Sequence, residues 1–293
     1  MLAAQDEPLA PLYLVLDSGY SYFSRSPLVG SPSPASSDHE RLLSFYFRKV
    51  GGSAPGGCPG ISTEDVAMTV NLLVESLAKH ICNRPKNERI LIGIDGVDGS
   101  GKSTFAERLH RSVHPSRPVL LIHLDDFHNP RHVRHARGQR SPMGFWLDSY
   151  NYEIFEQSVI APLSPAGDGH VLGGTYDVET EQPLKPRWIV APDNAVVIVE
   201  GIFLHRDELS SVWEVSVFLD VPFAETALRM AQRDGTPSDP SHPRMVRYVD
   251  GQLLYFAAAK PWERATWVID NADVAAPRII APHSSFAAQV CQQ

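Results

Sequence analysis

The stretch Gly96-Val97-Asp98-Gly99-Ser100-Gly101-Lys102-Ser103-Thr104 carries the clearest chemistry in this chain. It fits the pattern G-x-x-x-x-G-K-[ST], in which glycines let the backbone curl around an anion and successive N–H groups point inward. The side chain of Lys102 is placed to reach the β- and γ-phosphates of a nucleoside triphosphate, and the Ser103 hydroxyl to ligate Mg²⁺. Gly96, Asp98, Gly99, Ser100, Gly101 and Thr104 complete the predicted phosphate cradle. The context is the required one. Arg89 to Asp95 is a short apolar, β-branched run that reads as a buried parallel strand, and Phe105 to His110 reads as the opening of a helix.

The elements that must position this loop follow the same logic. Apolar runs at 119–124, 195–199, 215–219 and 267–269 end in Asp125-Asp126, Glu200, Asp220 and Asp270-Asn271. Near-continuous apolar strands separated by helical stretches predict an α/β fold: a three-layer sandwich around a mostly parallel five-stranded sheet. Ligands in such sheets bind beyond the carboxyl ends of the strands, which is where the acids fall, although Asp and Asn also favour turns for local reasons. Ser62-Thr63-Glu64-Asp65 reads as a helix start, and Val66, Val70, Leu73, Leu77 and Ile81 follow at helical spacing until Pro85 forbids continuation.

Composition bounds the partners. The formal net charge of −8 argues against a sequence-independent nucleic-acid binder, and no apolar run approaches membrane-spanning length. Three scattered cysteines without a C-x-x-C pair argue against disulfides and zinc, and fit a reducing cytoplasm. Residues 1–60 contain Ser/Pro- and Gly-rich stretches and read as a low-complexity, poorly ordered extension, with a short helix (41–50) and a stray strand (12–16) as local options. Residues 61–293 read as one domain. Homo-oligomerisation is compatible with this composition and is not specified by it.

With these residues in view, the chain resembles the uridine kinase-like branch of the P-loop small-molecule kinases, which also holds phosphoribulokinase and pantothenate kinase. The resemblance runs through the loop at 96–104, Leu124-Asp125-Asp126-Phe127-His128, Tyr176-Asp177, Val199-Glu200-Gly201, Arg229 to Asp234, Arg247-Tyr248 with Tyr255, and Val268 to Asp273. It implies ATP as donor and Mg²⁺ as cofactor, with Asp125 as the base that takes the acceptor proton and Glu200 beside the metal. It places Arg229 and Arg233, one helical turn apart, in a lid spanning about 229–248, and brings Asn271 toward adenine. His128, Asp148, Tyr176, Asp177 and Arg247 become acceptor-side candidates. The expected activity is phosphorylation of a hydroxyl on a small molecule, foremost a nucleoside.

Acceptor recognition departs from the family pattern. Uridine kinases carry a histidine a few residues after the Tyr-Asp pair, where Glu181 stands here. Aromatic residues in Phe145 to Asn151 fall where a ribose-gripping acid belongs. Another small alcohol, such as a pantothenate-like compound, a vitamin riboside or a sugar phosphate, is therefore the alternative acceptor. The Arg131 to Arg140 cluster reads as a solvated loop or as a contact for an anionic acceptor. A regulatory ATPase is the alternative outside the kinases; a GTPase is disfavoured because no Asn-Lys-x-Asp segment occurs.

Overall fold

The computed structural model describes residues 63–292. The expectations for residues 1–60 and for the cap at Ser62 lie outside them. Helix α1 (Thr63–Cys82) leads into β1 (Ile90–Gly96), then α2 (Lys102–Val113) and β2 (Val119–His123). Helix α3 (Pro142–Asp148) and two short ribbons precede β3 (Val196–Glu200) and β4 (Val215–Asp220). Helices α4 (Phe223–Asp234) and α5 (Val246–Ala259) then lead to β5 (Trp267–Asp270) and β6 (Arg278–Ile280).

The sheet order is β6-β5-β4-β1-β3-β2, with β1 to β5 parallel and β6 antiparallel at the edge. The five predicted strands are all present. The sixth, three residues long, carries no periodic signal that a sequence reading could use.

Strand residues alternate between two cores because successive side chains point to opposite faces. Leu91, Val197, Val199, Phe218 and Val268 enter one core with Phe127, Phe203 and Phe256. Ile92, Ile94, Ile198, Val217 and Ile269 enter the other, against Leu73, Leu77 and Ile81 of α1 and Leu109 of α2. Each such burial stabilises by about 1.5–3 kcal/mol, which keeps the strand register rigid. The chain leaves β1 toward β2 on one side and returns through β3 to β4 on the other. The crevice at this reversal lies at the carboxyl ends of β1 and β3, where the phosphate loop and Glu200 sit.

Candidate active site

The loop after β1 is shaped before any ligand arrives. Gly99 (φ 72°) and Gly101 (φ 91°) take left-handed conformations that favour glycine. A Cβ at Gly99 would also lie 2.9 Å from the Thr226 carbonyl. Three groups then tie the loop down. Asn271 Nδ2 donates to the Ser100 carbonyl at 2.7 Å, and Arg229 Nη1 donates to the Gly99 carbonyl at 3.3 Å. Gln252 Oε1 accepts from the Asp98 amide at 2.8 Å. At the end of β1, the fully buried carboxylate of Asp95 accepts from the Gly96 amide, from the His205 amide and Nδ1, and from the Tyr255 hydroxyl.

The loop fits a polyphosphate. Helix α2 starts at Gly101 with no side-chain cap, so its first-turn amides stay open to an anion. Lys102 Nζ rests on the Val97 carbonyl at 3.0 Å, within the loop it would serve. Beside it, Asn271, Gly101, Thr104, Arg108, Val274 and Pro277 line a cavity of about 140 Å³, a mostly apolar hollow suited to a base edge.

The metal candidates also meet. Ser103 Oγ donates to Glu200 Oε1 at 3.1 Å, and Glu200 is buried. A hydroxyl and a carboxylate, with phosphate oxygens and water, form the all-oxygen donor set that Mg²⁺ prefers. His123, a neighbour missed by the sequence reading, shares that carboxylate: its Nδ1 lies 2.6 Å from Glu200 Oε1. The contact follows from register, since His123 and Glu200 are paired across β2 and β3. The hydrogen bond to Glu200 outweighs partial burial and raises the His123 pKa above its ordinary value.

On the acceptor side, Asp125 is exposed at the tip of β2, and its Oδ1 accepts from the Tyr150 hydroxyl at 2.7 Å. Burial, followed by the Asp125 charge, drives the Tyr150 pKa well above 10, so the phenol remains a donor. Tyr150 reaches this place because His128 and Tyr150 form an isolated β-bridge. His128 also packs against it at a tilt of 47°, with ring centroids 4.4 Å apart. Asp98 stands near the same point. Burial raises its pKa, Lys102 opposes that rise, and Asp125 adds to it, with smaller opposition from His128 and Arg233. Asp98, Lys102, Asp125, His128 and Arg233 thus share one electrostatic neighbourhood.

No family model matches the chain. Nicotinamide riboside kinase 1 of Mus musculus is 28% identical over 189 residues, covering 62% of this chain and 84% of that protein. A uridine kinase of Ureaplasma parvum is 25% identical over 146 residues, covering 50% of this chain and 69% of that one. A solved structure described as a possible uridine kinase, from Bacillus stearothermophilus, has the same fold: TM-score 0.53, 23% identity, 67% of this chain and 96% of that chain. The chain is similar to kinases of the uridine kinase-like P-loop branch.

Against the pattern of that branch, several expected contacts are arranged differently. The resemblance puts Arg229 in the lid, yet Glu225 and the carbonyls of Gly99, Asn271 and Ala272 occupy its guanidinium. Arg233 alone remains near the surface, paired with Asp234. Arg247 is buried, and its donors hold the carbonyls of Arg134, Gln139 and Ser141. Asp177 closes its own turn by accepting from Glu179 and Thr180, and Asp148 accepts from Arg137 at 2.9 Å. Asp220 faces away from the crevice, where its carboxylate accepts from the amides of Phe286 and Ala287.

Tyr176 is buried and donates to Glu181 Oε2 at 3.0 Å. Glu181 also pairs with Arg134 and with Arg131, and it does so at φ 55°, an unusual conformation for a side chain of its size. The Arg131 to Arg140 segment is therefore not a freely solvated loop. It begins as a short helix (Arg131–Arg134), and three of its arginines are held by acids: Arg131 and Arg134 by Glu181, and Arg137 by Asp148.

Proposed function

We propose that this P-loop kinase transfers the γ-phosphoryl group of ATP to a hydroxyl of a nucleoside-like small molecule, with Asp125 as the base. The observation that carries the assignment is the Asp125 carboxylate, exposed to the crevice and oriented by the neutral Tyr150 hydroxyl, beside Lys102 and Arg233 in charge. The nicotinamide riboside and uridine kinases that resemble the chain support a nucleoside-like alcohol.

In the reaction, the acceptor oxygen attacks the γ-phosphorus and the bond to the β–γ bridging oxygen breaks. ADP leaves, and the hydroxyl proton passes to Asp125. Lys102 and the open amides of α2 hold the donor phosphates in line, and Arg233 would neutralise the moving charge. Ser103 and Glu200 would hold Mg²⁺, which supplies neutralisation of the β- and γ-phosphates. Among the described residues no helix is long and apolar enough to cross a membrane, and we assign the kinase to the cytoplasm, where its donor is abundant.

Asp125→Asn tests the reading. Phosphoryl transfer from ATP to an alcohol panel should fall by about 10²- to 10⁴-fold, the range of a lost general base, with Mg·ATP binding retained. Unchanged turnover removes Asp125 from its role. ATP hydrolysis that no alcohol diverts would favour a regulatory ATPase.

A further inference from the structure

A second cavity, of about 430 Å³, lies between the segment that follows Asp125 and the segment that follows Arg233. His135 and Arg140 form one wall, Thr236, Arg244 and Tyr248 the other, and no carboxylate among the described residues lines it. This is unusual in a chain of net charge −8. Elsewhere around the site, arginines meet acids: Arg131 and Arg134 on Glu181, Arg137 on Asp148, Arg233 on Asp234. Among the described residues, the guanidiniums of Arg140 and Arg244 have no hydrogen-bond or ion-pair partner.

Three further features point to an absent anion. The Thr236 hydroxyl is buried without a hydrogen-bond partner among the described residues, an arrangement native structures rarely leave unanswered. Partial burial and the positive neighbours Arg247, Arg134 and Arg131 hold the His135 imidazole below its ordinary pKa, with Glu181 opposing them. The wall is also pre-built, because buried Arg247 fixes the carbonyls of Arg134, Gln139 and Ser141. None of the lining residues belongs to the phosphate loop, so the donor triphosphate does not account for this charge.

We propose that this cavity binds a phosphate or carboxylate group carried by the acceptor, so that the alcohol phosphorylated is itself anionic. The proposal rests on the kinase reading above and narrows its substrate class. Planar guanidiniums suit such oxygens because they bind them bidentately and stay charged.

The test uses the full chain with its phosphate loop saturated by Mg²⁺ and a non-hydrolysable ATP analogue. Inorganic phosphate is then titrated calorimetrically against the wild type, Arg140→Ala/Arg244→Ala and Arg140→Lys/Arg244→Lys. Saturable binding should weaken by at least about tenfold in the alanine pair and less in the lysine pair, while affinity for the ATP analogue stays the same. In a second arm, turnover is compared for alcohols with and without the anion: nucleoside and nucleotide, ribose and ribose 5-phosphate, glycerol and glycerate. The anionic members should show at least about tenfold higher kcat/KM, expressed mainly in KM, and the alanine pair should lose that preference.

Phosphate binding that is absent, or indifferent to both substitutions, overturns the cavity assignment. So does preferred turnover of the neutral members, which would leave the kinase reading intact. If no alcohol is phosphorylated while phosphate binding still depends on the arginines, the kinase reading fails, the acceptor assignment falls with it, and the cavity holds a free anion.

Discussion

The donor and acceptor halves of the crevice are built by different means. Around the phosphate loop, the constraints are buried or half-buried hydrogen bonds to backbone groups: Asn271 to Ser100, Gln252 to Asp98, Arg229 to Gly99, Asp95 to Gly96. Around Asp125, constraints run between side chains on short elements: Tyr150 to Asp125, Tyr176 and Arg134 to Glu181, Arg137 to Asp148. Backbone anchoring does not depend on which alcohol is bound. Side-chain pairing can be changed one residue at a time, so the acceptor half is where specificity can drift while the donor machinery holds still.

The largest expected effect comes from breaking the donor half at Asp95. Asp95→Ala leaves the donors of Gly96, His205 and Tyr255 without an acceptor in a site sealed from water. The expected cost is about 3–5 kcal/mol of stability, read from the urea midpoint at unchanged slope. A loss below about 1 kcal/mol would mean that the network is not what stiffens the loop.

Next in size is a pH effect at the far edge of the same half. Burial raises the Asp220 carboxyl from 3.8 to about 6, against the opposing hydrogen bonds from the Phe286 and Ala287 amides. The folded chain then holds that proton more tightly than the unfolded chain. Stability from this group is full below about pH 4 and is lost as pH rises through 6, by up to about 3 kcal/mol. Asp220→Asn should flatten that part of the stability profile relative to wild type. Parallel profiles for the two proteins would place the titration elsewhere.

The smallest effect sharpens the contrast from the acceptor side. Glu181→Gln releases Arg131 and Arg134 from their shared carboxylate. Acceptor KM should rise by about tenfold, the worth of one charge-assisted contact, with ATP KM unmoved. If both constants shift together, the two halves are mechanically one.

The same division governs what could be read from the residues alone. The loop, its strand and the five parallel strands announce themselves through local pattern, because glycine spacing and unbroken apolar runs have few other uses. Tyr150 and Glu181 do not. Tyr150 reaches Asp125 through a β-bridge to His128, and Glu181 meets Arg134 from 47 positions away. No period or motif encodes such meetings. Asp220 shows the opposite failure: it has the right type and strand end for the crevice, but the amides of the last helix claim it.

Arg229 carries a mechanical corollary. By clasping the carbonyls of Gly99, Asn271 and Ala272, it makes the middle of α4 a fixed post shared with the nucleotide-binding wall. One turn further on, Arg233 has no such tether, and the helix stops at left-handed Gly235 with open space around it. Any swing over the reacting phosphate must therefore pivot beyond that post, as a short lever of one helical turn and the segment after it.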